Sequence, residues 1–422
     1  MRVLVTGASG FLGSAIAAAL LAAGHRVVAC VHRRAAPLPA GVDTVAVDYM
    51  RDVAAEAWRP RLAGVDAAIN CVGILREHRH ASFTSLHDLA PRALFSACEQ
   101  TGVRRVIQIS ALGADAGATG RYHRSKKSAD DALRSSTLDW TIVQPSLVFG
   151  ARGYSTRLLL ALASLPLLPV PGPGDQVVQP VHVDDLATLV LRLVTERGAV
   201  HETVAAVGAD AVGLGDLLVA YRHALGLPAA RTLTIPAPAM RLAARLGDVV
   251  HRSPLSTETL AMLERGSTAS TQTIARILRR PPLGIDRFVT ADQAPALRHS
   301  ATWNWVRPLL LAGIAATWIA AGMVSALHGH RLGLQLLAGL GLTAGMAEAA
   351  FAAACALDVG LGIATVLRPA RALWLTQLLV IAFYTIALSM AAPQLWLDPF
   401  GSLVKNLPIV AVLVTLTAMD EA

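Results

Sequence analysis

Met1-Arg2-Val3-Leu4-Val5-Thr6-Gly7-Ala8-Ser9-Gly10-Phe11-Leu12-Gly13 opens the chain and decides how the rest is read. Val3-Leu4-Val5 has the character of a buried strand, and the alanine-rich residues 14–23 that of a helix. A strand that turns through glycines into a helix aims backbone N–H groups at one point, where the helix dipole also favours negative charge. A pyrophosphate fits there. Gly7 permits the tight turn, Gly10 lets the backbone approach phosphate, and Gly13 lets helix and strand pack closely. Gly7, Ser9, Gly10, Phe11, Leu12 and Gly13 are therefore candidate contacts to a nicotinamide dinucleotide.

Working outward, Gly24 ends the helix and residues 25–31 form a second strand. Roughly 20 residues past such glycines, an acidic side chain ordinarily accepts the ribose hydroxyls of NAD. Here Val31 is followed by His32, Arg33 and Arg34, which suit a ribose 2′-phosphate and favour NADP, with NAD as the alternative. A solvated basic loop is the plainer reading of the same residues. Residues 42–47 form a third strand leading to Asp48 on the adenine side. Residues 65–71 form a fourth, running into Asn70-Cys71-Val72-Gly73 on the nicotinamide side. Strands alternate with helices through residue 150, which predicts an α/β class: a Rossmann-type doubly wound parallel sheet with right-handed crossovers.

Residues 104–110 are a fifth strand, and beyond it Tyr122-His123-Arg124-Ser125-Lys126 puts Tyr122 and Lys126 on one helix face at i and i+4. An ammonium that close stabilises phenolate and is expected to pull the tyrosine below its ordinary pKa of about 10, toward the range of acid–base catalysis in carbonyl reduction. Ser110, at the strand's carboxyl end, is placed to bond the substrate oxygen. Ser110, Tyr122 and Lys126 are thus the expected catalytic residues, with Tyr122 and Lys126 also touching the cofactor. Arg76, Glu77, His78, Arg79 and His80 crowd the stretch 75–87. His78 and His80 lack a third ligand at a sensible spacing, so a solvated, substrate-facing loop is expected there and no metal.

Composition divides the 422 residues. At 54% hydrophobic and 16% charged, the chain is too apolar for an ordinary soluble protein, and the excess lies after Trp303. Cys30, Cys71, Cys98 and Cys355 are scattered, which suits a reducing compartment and argues against a disulfide framework. The net charge of +8 is spread over dispersed arginines with no basic, aromatic-bearing helix, so anionic lipid is a better partner for it than nucleic acid. The opening apolar run is too short for a signal peptide, and the N-terminal domain is expected in the cytoplasm. Apolar runs at 306–327, 347–367, 372–392 and 407–419 predict a lipid-embedded, all-α four-helix domain, the last run being marginal. Residues 332–342, rich in leucine and glycine, read as a short interfacial or re-entrant helix. Arg298, Arg307, Arg368 and Arg371 against Arg331 and Lys405 orient the domain in an inner, cytoplasmic membrane with the N-terminal domain inside. The expected boundaries are 1–290, a linker 291–302, and 303–422.

The stretch 155–287 would supply a small substrate lid. Its proline-rich segment 165–174 can receive an apolar substrate or simply pack against the lid, and packing ranks first. Met240 to His251 carries arginines among apolar residues at helical spacing; it fits a helix on the bilayer surface and a solvated amphipathic helix equally. Asp358, near the middle of its span, is a functional candidate or a neutral acid bonded to a neighbouring helix. Glu348 is expected at a membrane edge, and Asp398 and Lys405 around a Pro-Phe-Gly turn.

These motifs carry a resemblance. Residues 1 to about 290 resemble the short-chain dehydrogenase/reductase superfamily through the glycine turn, Tyr122/Lys126, the stretch 141–150 (Thr-Ile-Val-Gln-Pro-Ser-Leu-Val-Phe-Gly) and the stretch 181–187 (Val-His-Val-Asp-Asp-Leu-Ala). The stretches 69–73 and 109–114 are similar to the atypical subgroup that includes the nucleotide-binding accessory subunit of respiratory complex I. The resemblance implies that Pro145 and Val148 also line the cofactor, and that a member can hold a dinucleotide as a structural element. Gln144 stands where arginine is common, and Ser110 is followed by Ala-Leu-Gly rather than a second hydroxyl residue. Residues 357–362 and 396–408 resemble the DoxX-like membrane family. Two function classes follow: an anchored oxidoreductase acting on an apolar or membrane-associated carbonyl or quinone-like substrate, or an epimerase-like relative of it; and a non-catalytic scaffold or redox sensor with membrane-protein partners.

Overall fold

The computed structural model describes residues 1–32, 41–78, 81–172, 174, 176–196, 199–249, 255–399 and 401–420. The chain divides into two compact units, Met1–Ala301 and Thr302–Ala422.

The first unit is built on a seven-stranded, all-parallel sheet: β1 (Arg2–Thr6), β2 (Arg26–Val31), β3 (Asp43–Ala46), β4 (Ala67–Asn70), β5 (Arg105–Ile109), β6 (Asp139–Pro145) and β7 (Glu202–Ala206). Their spatial order is 3-2-1-4-5-6-7. Because the order reverses between β1 and β4, a crevice opens beyond the carboxyl ends of those two strands. Helices α1 (Phe11–Ala22), α2 (Ala90–Thr101), α3 (Arg121–Arg134) and α4 (Val183–Thr195) cover the sheet. Strand alternation divides the core between its two faces. Val3, Val5, Val27 and Ala29 pack with Ile16 and Leu20 of α1 and Leu189 and Leu193 of α4, whereas Leu4, Val28 and Cys30 pack with Trp58, Leu94 of α2 and Leu133 of α3.

A third cluster, with Phe149, Leu160, Tyr221 and Phe288, holds the lid. The segment 165–174, expected as a loop, contains the strand Leu167–Pro171, paired in parallel with Arg231–Ile235; Leu168 and Val170 are buried in the lid core. Apolar alternation there outweighs the prolines, which an edge strand tolerates.

The second unit is helical: it takes α5 (Ala294–His328) from Thr302 onward, α6 (His330–Gly339), α7 (Ala344–Leu367), α8 (Arg371–Ala391) and α9 (Asn406–Met419). The expected linker at 291–302 is helical from Ala294 onward, since only Pro295 interrupts a run of helix-tolerant residues, and proline is accepted in a first turn. Among the described residues three helices, α5, α7 and α8, are long and apolar enough to cross a membrane. The fourth expected span, α9, is a 14-residue helix. At 1.5 Å per residue it rises about 21 Å, short of the roughly 30 Å of a hydrocarbon core. α6 takes the place of the expected short helix, ended by Gly341 at φ +86°. Ile314, Trp318, Leu361, Trp374, Ile381, Leu413 and Leu416 form the interior of the unit, while Leu379, Phe383 and Met390 point outward.

Candidate functional site

The glycine turn closes tightly on itself. Gly7 takes φ +63°, the left-handed region that favours glycine, and the Gly10 N–H donates to the Gly7 carbonyl at 2.9 Å. A Cβ on Gly13 would stand 2.2 Å from the Gly7 oxygen, so α1 can start this close to β1 only with glycine there. Ser9 and Leu12 are partly buried around the turn and Gly10 is exposed. The Phe11 ring lies toward Gly150 and Gly153, where added Cβ atoms would come within 2.8 and 3.0 Å of it. Pro145 and Val148 are buried at the end of β6 and just beyond. His32 is exposed at the end of β2; Arg33 and Arg34 lie outside the described residues. Asp48 accepts from the Met50 N–H at 3.0 Å, and Asp52 accepts from the Asp48 N–H at 2.7 Å while pairing with Arg61 at 2.8 Å.

Asn70 lies one layer below this surface. Fully buried, its carbonyl oxygen accepts from the Thr6 hydroxyl at 2.7 Å and the Tyr49 hydroxyl at 2.9 Å, and its amide donates to Gln108 at 2.7 Å. This network ties the carboxyl ends of β1, β4 and β5 together, so Asn70 shapes the crevice from inside the sheet. Burial pushes the Cys71 thiol up to about 12, which leaves it an unreactive neutral group.

Three residues of α3 share one face at i, i+4 and i+8: Tyr122, Lys126 and Asp130, all buried. The Lys126 ammonium donates to the Val72 carbonyl at 3.0 Å and the Ile109 carbonyl at 3.1 Å, clamping the ends of β4 and β5. Burial lowers it to about 8, opposed by the Asp130 charge. The phenol behaves differently from the sequence expectation. Burial pushes Tyr122 up to about 12, with the Asp130 charge adding to the rise. Lys126 makes no hydrogen bond to the phenol among the described residues, its ammonium being aimed at the two strand-end carbonyls. Tyr122 therefore holds its proton firmly at neutral pH, the state of an acid rather than a base. Ser110 also differs: its hydroxyl, expected at a substrate oxygen, donates to Asp130 at 2.5 Å. A carboxylate one turn beyond Lys126 competes successfully for that proton.

His87, unremarked in the sequence, completes the cluster. Carried on the π-helical segment Thr84–Leu89, its Nε2 accepts from the Ile74 N–H at 2.9 Å. Its Nδ1 meets the Ser125 hydroxyl at 2.9 Å, and that hydroxyl donates to the Tyr122 carbonyl at 2.7 Å, so Nδ1 carries the ring proton. Burial, with the Lys126 charge behind it, drives the ring down to about 2 and keeps it neutral. The ring stacks on Phe83 at 5.1 Å and meets Tyr122 edge-on at 5.4 Å. Its signal in the sequence was a lone histidine entering a buried helix, indistinguishable by pattern from a core histidine. Asp130 had a better signal, its i+4 spacing from Lys126. In the preceding loop Glu77 pairs with Arg121 at 2.7 Å, and His78 bridges backbone to backbone with Ala81. His80 and Arg79 lie outside the described residues.

A cover lies over Tyr122. The helix Thr257–Arg265 sends Glu258 to accept the Tyr122 N–H at 2.8 Å, an acidic cap on the α3 N-terminus. Arg265 donates to both Asp115 oxygens at 2.7 Å and to the Gly113 carbonyl at 2.8 Å. Met262 and Ile74 pack with Phe83, Ala111 and Tyr122, so the approach to the phenol is apolar.

Two family models match separate parts of the chain. Residues 7–164 match the family model described as NAD(P)H-binding, and residues 315–414 that of the DoxX-like family. The chain is 31% identical over 192 residues to an uncharacterized protein of Mycobacterium tuberculosis, covering 46% of this chain and 20% of that protein. It is 30% identical over 187 residues to the ceramide reductase of Caulobacter vibrioides, covering 44% of this chain and 58% of the relative. Against subunit 9 of the NADH dehydrogenase (ubiquinone) 1 alpha subcomplex of Arabidopsis thaliana it is 29% identical over 143 residues, 33% of this chain and 35% of the relative. The chain thus spans less than two thirds of the length of each. A nucleoside-diphosphate-sugar epimerase from Staphylococcus aureus shares the fold, with a TM-score of 0.56, 19% identity, and coverage of 68% of this chain and 99% of that one.

Proposed function

Because the chain joins an NAD(P)H-binding Rossmann domain, with extended short-chain dehydrogenase/epimerase structural neighbours, to a DoxX-like membrane domain, we propose that it is a membrane-anchored reductase of an apolar or membrane-associated carbonyl or quinone-like compound. A bound reduced nicotinamide would supply hydride to the carbonyl carbon. The residues of this chain would do the rest. Gly7, Ser9, Gly10, Phe11, Leu12 and Gly13 would hold the pyrophosphate at the α1 N-terminus. Val72 and Gly73 would form the nicotinamide wall that Lys126 clamps, and Tyr122 would give its phenolic proton to the carbonyl oxygen as charge develops there. His32, with Arg33 and Arg34, would select NADP, as no carboxylate follows β2. The single observation carrying this reading is a protonated Tyr122 under an apolar cover, on the same helix face as a lysine that grips the crevice's strand ends. A relative named for the reduction of a lipid, ceramide, supports the substrate class. The arginine distribution supports an inner membrane with the Rossmann unit in the cytoplasm.

A second reading has its own observation. Ser110 donates its hydrogen bond to Asp130, which leaves a substrate oxygen one donor short, and a relative is a subunit of NADH dehydrogenase. In that reading the dinucleotide is structural and the protein serves a membrane assembly. Full-length protein in lipid nanodiscs separates the two. Tyr122→Phe should keep NADPH affinity and lose reduction of lipid-soluble carbonyls; unchanged turnover sinks the enzyme reading. Gly10→Asp should abolish NADPH binding, and an assembly that survives it sinks the scaffold.

A further inference from the structure

A basic and apolar surface lies outside the candidate site. In the pair of strands Leu167–Pro171 and Arg231–Ile235, Arg231 faces Leu167 and Leu233 faces Pro169. Alternation buries Leu168 and Val170 and leaves Leu167 and Leu233 50% and 51% exposed. One proline later the helix Ala237–Val249 begins, resting on Thr257–Arg265 through its buried Ala244 and Gly247. At 3.6 residues per turn Leu242 and Leu246 stand opposite Ala244, and they are 59% and 63% exposed. Arg241 and Arg245 flank the leucines, both exposed and, like Arg231, without an ion pair among the described residues. The carboxylate of Asp248 is occupied, accepting from the Thr257 N–H at 3.1 Å and its hydroxyl at 2.9 Å.

We propose that the outer face of the helix Ala237–Val249, with Leu242 and Leu246 exposed between Arg241 and Arg245 and with Arg231 on the strand that leads into it, docks on the anionic leaflet of a lipid bilayer. Two features choose lipid over an acidic protein. Guanidinium forks match headgroup phosphates and leucines the acyl region a few ångströms deeper, while an acidic protein surface answers only the arginines. The attraction fades within a Debye length, so it acts only on a surface held close to the membrane, and the same chain carries helices able to span one. Docking would set the Tyr122 cover beside the leaflet, since Arg76, one residue from Glu77, donates to the Gly247 carbonyl at 3.0 Å and Asp248 bonds the first residue of the covering helix. On the reductase reading above, the substrate class is then a molecule dissolved in that leaflet.

The test uses the full chain in vesicles of phosphatidylcholine with or without phosphatidylglycerol. An environment-sensitive fluorophore is placed at Leu246→Cys and, as control, at Val219→Cys, a 49% exposed position on the helix Leu214–Ala224. The Leu246 probe should shift to the blue and be quenched by nitroxide-bearing lipid in phosphatidylglycerol vesicles, severalfold less in phosphatidylcholine, and the combined variant R231Q/R241Q/R245Q should abolish the difference. The control should stay open to aqueous iodide throughout. Equal iodide quenching of the Leu246 probe in anionic vesicles and in detergent overturns the proposal; so does protection that persists in detergent, which would mark a protein contact. None of these readings depends on turnover or on bound NADPH, so failure here leaves the reductase reading standing, and the reverse holds too.

Discussion

The two units differ in what their buried cations and polar side chains find as partners. In the first, long cations cap carbonyls left over at the ends of strands and helices: Lys126 takes those of Val72 and Ile109, Arg105 those of Leu193 and Asp139, and Arg222 those of Ala163 and Leu165. In the second, helices consume nearly all of their own carbonyls, so polar side chains pair with one another. Trp318 donates to Gln377 at 2.9 Å and Gln377 to Thr365 at 2.8 Å, Tyr384 donates to Asp358 at 3.0 Å, and Arg307 and Trp374 both converge on Asp420. A site that needs charge fixed at a chosen point can be built at the ends of a sheet. A helix bundle in lipid must keep its polar groups in closed pairs.

The sharpest way to break that contrast is at the Tyr122 hydroxyl, the donor of the α3 face that has no acceptor among the described residues. Tyr122→Phe should lower kcat by about 10²–10⁴-fold with the NADPH Kd unchanged, read by single-turnover reduction and by fluorescence titration. Gly13→Ala tests whether the glycine turn is as tight as the contact to Gly7 implies. It should cost about 1–3 kcal/mol and weaken NADPH binding, and a variant that melts and binds like the parent contradicts the geometry. Lys126 supplies a pH test. Its folded pKa of about 8 lies below the roughly 10.4 of an unfolded lysine, so between pH 8 and 10 the unfolded chain binds more protons, and this group makes stability rise with pH. Above pH 10 the raised Tyr122 opposes it. Burial raises the Cys30, Cys71 and Cys98 thiols to about 12, and these pull the other way over the same range, so Lys126→Met should make stability fall more steeply between pH 8 and 10 in thermal melting than it does in the parent. The smallest effect belongs to the helical unit. A double-mutant cycle of Trp318→Phe with Gln377→Leu should show coupling of about 0.5–2 kcal/mol in bilayers, and additive losses would deny the closed pair.

Legibility followed the range of the interactions. The glycine turn, the alternation of strands and helices, the Tyr122–Lys126 spacing and the apolar spans are patterns within a dozen or two residues, governed by local sterics and by the solvent each face meets. Those could be read directly, with element ends within three residues except at the first span, whose helix starts at Ala294 rather than at 306. The helical run through 294–302 and the shortness of α9 turned on where helices stop, which local pattern decides least well. Hydrogen-bond partners were a different matter. Ser110 turned to Asp130, Asn70 became the hub of a buried network, and His87 emerged beside Tyr122 from a stretch read only for its loop charges.

The sequence by itself determined the chain's two solvents, its parallel α/β sheet and the helix face that carries Tyr122 and Lys126, because periodicity and composition answer to forces that act residue by residue. Only the tertiary structure decided which donor meets which acceptor and which way each pKa moves. Lys126 was near enough in sequence to lower the phenol, yet burial and the Asp130 charge send Tyr122 upward. Burial is a property of everything folded around a group, and no spacing along the chain encodes it.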